Sequence, residues 1–282
     1  MDALLFPGQG SQSSGMRDLA CHGRPDLLER AERELGQDPC EAASSGTYAA
    51  QLAIYCASLG GYELLDRPRP DYAAGHSLGE IAALAAADAI SAEDGLRLVA
   101  ARGRLMEEAA RARQGGMVVL RTDSAGATAL LNGDGATVAN ENSPDQTVVS
   151  GDEAALLELE WRAGEQGVRA MRLPVAGAFH SPAMEPAVEP FAAELDAVEV
   201  REPRFPVISS TSAQPFDGDI RARLAAALTE PVRWTSVLAW LDEQGVRRYV
   251  ETGPGRVLTG LVRRTLPGVA AVSADPMEMS RA

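Results

Sequence analysis

The chain contains no lysine; all 26 of its basic residues are arginines, set against 40 acidic residues. A formal net charge of −14 argues against sequence-independent binding to nucleic acid. An acidic partner would need a local arginine patch, because the overall field repels it. Cysteine is scarce as well. Cys21, Cys40 and Cys56 are odd in number and lack metal-ligand spacing, which argues for reduced thiols, a cytoplasmic chain and no zinc site. No apolar run approaches the ~20 residues of a membrane span, so no membrane partner is expected. Met1 to Phe6 has no basic n-region and no cleavage-site pattern, and reads as a first strand rather than a signal peptide. The loop after it, Pro7-Gly8-Gln9-Gly10-Ser11-Gln12, lacks the Gly-Lys-Ser/Thr ending of a phosphate-binding loop, which disfavours a nucleotide.

What the chain does have is an ordinary globular balance, 45% apolar and 23% charged over 282 residues, enough for one large domain or two. It is organised around Gly75-His76-Ser77-Leu78-Gly79. This stretch follows a short apolar run, Tyr72-Ala73-Ala74, and opens an alanine-rich helix from Glu80 to about Ala87. Gly-x-Ser-x-Gly between a strand and a helix is the pattern of a nucleophile elbow. The two glycines leave room for strand and helix to cross closely, and the serine hydroxyl stands at a helix N-terminus. A plain Gly-Ser turn carries the same letters; the flanking strand and helix are what favour the elbow.

Two further residues draw notice. Ser91 caps a helix predicted to run to about Arg113, and on its wheel Arg102 lands within the apolar arc of Leu96, Val99, Gly103 and Met106. A buried guanidinium needs an anionic partner, either a structural Asp or Glu or a ligand carboxylate. Of the three histidines, His22 lies near the end of an early helix, and His76 is adjacent to Ser77, so its side chain points away from the hydroxyl. His180, in the small-residue loop Gly177-Ala178-Phe179-His180-Ser181-Pro182, is the plausible distant base; the bland alternative is a solvated loop histidine.

The remaining pattern is alternating α/β. Helices are expected over Leu19–Leu35, Thr47–Leu65 (apolar on all sides, hence core), Pro186–Val198, Ile220–Leu228, Thr235–Gln244 and Val257–Arg264. Strands are expected at Phe205–Ser210 and at Arg248–Glu251, read as the last core strand, with a loose tail from about Ala274. Between them, strands at 117–120, 137–139, 147–150 and 168–175 and helices at 124–131 and 152–166 give a β-α-β-β-α-β order. That is a ferredoxin-like unit of roughly 65 residues, inserted beside the candidate site residues. A cleft between two lobes is a common ligand location.

Taken together, the sequence resembles the malonyl-CoA:acyl-carrier-protein transacylase family, including the acyltransferases of polyketide synthases. The resemblance covers nearly the whole chain. It rests on Phe6 to Gln12, Gly75 to Glu80, Arg102-Gly103, Asn140-Glu141-Asn142-Ser143-Pro144, Gly177 to Ser181, Pro231-Val232-Arg233-Trp234 and Gly253-Pro254-Gly255-Arg256-Val257-Leu258. It implies an α/β-hydrolase-like large lobe (1–115 and 182–282) and a ferredoxin-like small lobe (116–181). It implies Ser77 as nucleophile, His180 as its base, and the N–H groups of Gln9 and Leu78 as an oxyanion hole. Arg102 would pair with the malonyl carboxylate, with Gln9, His76, Asn142 and Phe179 lining the substrate site. The backbone carbonyl that orients the base falls at Ala227, where some members have Gln. Phe179 resembles the bulky residue of malonyl-specific members; those using methylmalonyl tend to have Ser, so malonyl is expected over methylmalonyl.

The implied reaction is ping-pong transfer of malonyl from coenzyme A to the phosphopantetheine thiol of an acyl carrier protein, with no metal or redox cofactor. The enzyme is expected to be free-standing and monomeric, serving fatty acid or polyketide synthesis. Carriers are usually acidic, so Arg256, Arg263 and Arg264 are candidates for a docking patch, against the plainer reading of a solvated helix face. The main alternative activity is an acyl hydrolase that clears carriers with the same Ser-His pair; Arg102 favours transfer. A non-catalytic docking subunit is the third reading, disfavoured by the intact Ser77 and His180.

Overall fold

Strands β1 (Asp2–Phe6) and β2 (Tyr72–Gly75) pair in parallel at the centre of one sheet, so that Phe6 and Gly75 end side by side. The computed structural model describes residues 1–133, 135–175 and 177–275. Between the two strands lie α1 (Met16–Gly23), α2 (Pro25–Leu35), the single turn α3 (Pro39–Ala42) and α4 (Thr47–Leu64). After β2 come α5 (Gly79–Ala86) and α6 (Ala92–Ala112). Then follow β3 (Gly116–Leu120), α7 (Ser124–Leu130), β4 (Ala136–Ser143), β5 (Gln146–Gly151), α8 (Glu153–Glu165) and β6 (Ala170–Arg172). The chain returns through α9 (Glu185–Asp196), β7 (Val207–Ile208), α10 (Ile220–Ala226), α11 (Trp234–Glu243), β8 (Arg248–Glu251), α12 (Val257–Thr265) and β9 (Ala270–Ser273).

The first sheet is parallel throughout, in the order β7-β2-β1-β8-β9. Its inner strands β1 and β2 are buried on both faces, as parallel strands covered by helices must be, while the edge strand β9 is partly exposed. The second is antiparallel, in the order β4-β5-β3-β6, which is the ferredoxin-like arrangement. The fold is thus mixed α/β with two lobes. The helix α4, apolar on every side, is core as expected: Leu52, Ile54 and Tyr55 are fully buried between α1 and α6. Each such side chain contributes roughly 2 kcal/mol by leaving water. At the far end of β8, buried Glu251 accepts the N–H groups of Leu258 and Thr259, satisfying the start of α12.

Several boundaries differ from expectation. The stretch 19–35 is two helices, broken at Arg24, because Pro25 has no N–H to donate and starts a new helix at its first position. The strand expected over Phe205–Ser210 shrinks to Val207–Ile208 at a sheet edge, next to Pro206. The strand read as 168–175 is only three residues long and ends before Pro174. The strand read as 137–139 runs on to Ser143, with two register irregularities. Arg248–Glu251 is not the last strand: β9 pairs beyond it. Ala274 and Asp275 are not loose either. Asp275 is buried and accepts bonds from Ser13 and the Gly255 N–H, while residues 276–282 lie outside the described residues.

Candidate active site

The elbow forms as its glycines require. A Cβ on Gly75 would lie 2.0 Å from the Gly79 carbonyl carbon, and one on Gly79 would lie 2.0 Å from the Phe6 oxygen. Strand, turn and helix therefore touch backbone to backbone, and Ser77 is held at φ +55° between them. A non-glycine residue in the left-handed region costs on the order of 1–3 kcal/mol and persists only where its surroundings enforce it. His180 is the second such residue at the site, at φ +54°. Its turn is pinned by Ser181 Oγ, which donates to the Ala178 carbonyl at 2.6 Å, and by buried Ser150 of β5, whose Oγ donates to the Phe179 carbonyl.

These two turns meet. Ser77 Oγ lies 2.7 Å from His180 Nε2. His180 Nδ1 faces two main-chain carbonyls, Ala227 and Glu230, each at 3.0 Å. Carbonyls only accept, so Nδ1 carries the proton and the Nε2 lone pair is turned to the serine hydroxyl. Burial, with the nearby Arg102 charge, pushes the His180 pKa down to about 3, so the ring is neutral near pH 7.

Arg102 completes the cluster from α6. Its Nη2 donates to Ser77 Oγ at 3.0 Å and its Nη1 to Gln51 Oε1 at 3.0 Å. Gln51 is itself buried on α4 and turns its Nε2 to the Met106 sulfur. Arg102 is only 4% exposed, and no carboxylate among the described residues lies within ion-pair distance of its guanidinium. Burial lowers its pKa to about 10, partly offset by the charge of Glu80. The structural salt bridge that the helical wheel left open is therefore absent among the described residues.

His76 turns the other way, as its place in sequence suggested. Its Nε2 meets Asn142 Oδ1 at 2.9 Å, and its ring packs on Trp234 with centroids 5.3 Å apart. Asn142 also donates to Gln146 at 3.2 Å. The irregular register of β4 aims Asn142 at the elbow. The Gln9 loop lies against the same turn, since a Cβ on Gly8 would come 2.5 Å from the His76 oxygen. Among the described residues, the main-chain N–H groups of Gln9 and Leu78 have no protein acceptor.

Phe179 is 5% exposed, and its ring lies over Gly177, where a Cβ would come 2.8 Å from the ring and 2.7 Å from Ala110 of α6. Arg256, Arg263 and Arg264 are exposed at the two ends of α12. Arg263 donates to the Ala271 carbonyl and Arg264 to the Gly260 carbonyl.

Sequence reasoning missed Glu230, Gln51 and the Trp234 stacking partner of His76. Glu230 acts through its carbonyl, which no residue type reveals. Gln51 left one signal, a lone amide on an otherwise apolar helix. Among the described residues no helix is long and apolar enough to cross a membrane, and no His, Cys, Asp or Glu side chains gather in threes as metal ligands.

Known proteins share this architecture. Residues 26–278 match the acyl transferase domain family. The malonyl CoA-acyl carrier protein transacylase of Bacillus subtilis is 35% identical over 302 residues, covering 99% of this chain and 95% of that protein. The polyketide biosynthesis protein ThaF of Burkholderia thailandensis is 39% identical over 289 residues; the match covers 97% of this chain and a quarter (25%) of that protein's length. A solved type II polyketide synthase acyl-carrier protein in complex with its malonyl-transacylase matches with a TM-score of 0.89 at 33% identity, covering 100% of this chain and 98% of that one. With a family match over most of its length and identities above 30% across whole relatives, the chain belongs to the acyl transferase domain family.

Proposed function

We propose that the chain transfers malonyl from malonyl-CoA to the phosphopantetheine thiol of an acyl carrier protein, through a malonyl ester on Ser77. The observation that carries this reading is the position of Ser77 Oγ, between the neutral Nε2 of His180 and the Arg102 guanidinium, which has no carboxylate partner among the described residues. A base alone would suit any acyl group. The buried cation beside the nucleophile asks for a substrate with its own carboxylate, which it can grip in bidentate fashion. An acetyl group would leave that cation unmatched.

In the first half-reaction His180 Nε2 takes the Ser77 proton as Oγ attacks the thioester carbonyl, a contribution of ~10²–10⁴ in rate. The tetrahedral oxyanion is received by the free N–H groups of Gln9 and Leu78, each worth about 3 kcal/mol. The carbon–sulfur bond breaks and CoA departs with the proton from His180. In the second half-reaction the carrier thiol gives its proton to His180 and attacks the malonyl ester, and Ser77 leaves and recovers its hydrogen. Proton transfer and acyl exchange ask for no metal or redox group. Malonyl on Arg102 also neutralises a charge that depresses His180, so the substrate itself strengthens the base. His76 and Asn142 form the wall next to the nucleophile, and Phe179 limits room beside the malonyl α-carbon. Through Asn142 on β4 the small lobe reaches this wall.

The test is intact-protein mass spectrometry after mixing with malonyl-, methylmalonyl- and acetyl-CoA in competition. The expected result is a malonyl adduct that is absent in Ser77→Ala and is discharged by a carrier bearing phosphopantetheine. Free malonate in place of an adduct would make water the acceptor and the protein a hydrolase.

A further inference from the structure

Three residues past the nucleophile, Glu80 is 2% exposed, and no basic side chain among the described residues lies within ion-pair distance of it. The reaction proposed above gives it no task, yet a buried carboxylate carries a desolvation cost that an apolar residue would not. Burial raises its pKa to about 7. Its hydrogen bonds lead to the base. Glu80 Oε1 accepts the Ser210 N–H at 2.6 Å. The Ser210 carbonyl accepts the Arg233 N–H at 2.7 Å. Three residues before Arg233, the Glu230 carbonyl meets His180 Nδ1 at 3.0 Å. On its main chain, Glu80 donates its own N–H to the Ser77 carbonyl at 3.0 Å. Glu80 thus bonds the nucleophile's residue through its main chain, and its carboxylate reaches the base through three hydrogen bonds and the stretch 230–233.

The segment 230–234 is gripped from the other lobe as well. Val232 N–H donates to the Ala139 carbonyl and Glu141 N–H to the Val232 carbonyl, both at 2.8 Å. On the side of the parallel sheet, Val232 and Trp234 pack with Ala74 and Ile208, the Ser210–Arg233 bond ties the segment to the chain just after β7, and Glu80 holds Ser210 in place. We propose that Glu80 is a positioning residue: its carboxylate fixes the Ser210–Arg233 link that aims the Glu230 carbonyl at His180, and so sets the tautomer and orientation of the base. The inference rests on the reading of His180 as that base. The assignment requires an acceptor at Oε1 rather than a charge, so Gln should replace Glu and Asp, one methylene short, should not.

The experiment compares the full chain with Glu80→Gln, Glu80→Asp and Glu80→Leu. The first readout is the Nδ1–H resonance of His180 in protein labelled with ¹⁵N-histidine, where only three rings need assignment. The second is the pre-steady-state rate of Ser77 malonylation as a function of malonyl-CoA. The expected result in Glu80→Gln is an unchanged resonance and maximal rate, the loss of the charge that acts on Arg102 being read only in the half-saturation. In Glu80→Asp and Glu80→Leu the resonance should shift or broaden. Their maximal rate should fall about tenfold, the equivalent of one ordinary hydrogen bond, at unchanged half-saturation in Glu80→Asp. Because Glu80→Leu can fail to fold, Glu80→Asp alone is sufficient. A His180 resonance that stays in place in Glu80→Asp, or a Glu80→Gln variant as damaged as Glu80→Asp, overturns the proposal. A resonance that moves in a chain that takes up no malonyl supports the positioning role and refutes the transferase reading instead.

Discussion

Arg102 Nη2 and Ser77 Oγ lie 3.0 Å apart, and among the described residues the guanidinium has no partner besides that hydroxyl and the Gln51 amide. A buried cation left with neutral partners destabilises the free protein and favours an anionic ligand. Arg102→Ala should therefore lose malonyl transfer by on the order of 10² or more in kcat/KM while the ratio of acetyl to malonyl transfer rises. Its unfolding midpoint in urea should not fall. Equal loss for both substrates together with a lower midpoint would make Arg102 a structural residue.

His180 gives a pH signature. Its folded pKa, near 3, lies below the ordinary 6.5, so the unfolded chain binds a proton that the folded chain refuses. Its contribution to stability is complete above about pH 6.5 and is lost as the pH falls toward 3. Relative to His180→Gln, the wild type should lose about 1.4 kcal/mol of unfolding free energy per pH unit between 6 and 4. His76, also lowered by burial, is common to both proteins and cancels. For the same reason kcat/KM for malonyl-CoA should show no inflection near 6.5. An inflection there, or parallel stability curves, would mean that the ring is charged or solvated in the folded protein.

Much of the site was legible because chemistry of this kind needs particular residue types at tight turns. Gly75 and Gly79 can be nothing larger, Ser77 sits between them, and the lone arginine in an apolar arc is buried as its place on the wheel implied. The small lobe was legible from its order of periodicities, and α4 from its unbroken apolar surface. The parts that were not legible depend on the main chain or on packing at a distance. Ala227 came only by resemblance and Glu230 not at all, because each offers a carbonyl that any residue could supply. Edge strands such as β9 and β7 are short, so tertiary pairing rather than alternation defines them. The break at Arg24 was written in Pro25 but was masked by the helical pattern on both sides.

Phe179 and its support should set which acyl group enters. Phe179→Ser should raise methylmalonyl relative to malonyl in the competition assay, at a stability cost toward the ~3–5 kcal/mol of emptying a buried phenyl site. Ser150→Ala leaves the ring in place but removes the donor to the Phe179 carbonyl, so it should relax the same selectivity more weakly. Gly177→Ala adds a Cβ at 2.7 Å from Ala110 and 2.8 Å from the ring, which should push Phe179 out of its seat and impair malonyl transfer. Unchanged selectivity in Phe179→Ser would place the extender choice elsewhere.

The acidic balance of the chain makes its carrier contact a matter of local charge. With a net charge of −14, an acidic carrier is repelled at long range, and a patch must overcome this at close range. Arg256 and Arg264 stand exposed at opposite ends of α12, whose last turn is basic. Arg263, beside them, also holds β9 through the Ala271 carbonyl, so its reversal would confound docking with folding. The informative variant is Arg264→Glu, whose printed side-chain bond stays within α12, at the Gly260 carbonyl. It should raise KM for the carrier severalfold, more at low salt than at high salt, and leave the malonylation rate of Ser77 unchanged. Salt is the discriminating variable, because a lost side-chain contact without a field would weaken binding equally at every ionic strength. A carrier KM that does not move at low salt would take α12 out of the docking surface.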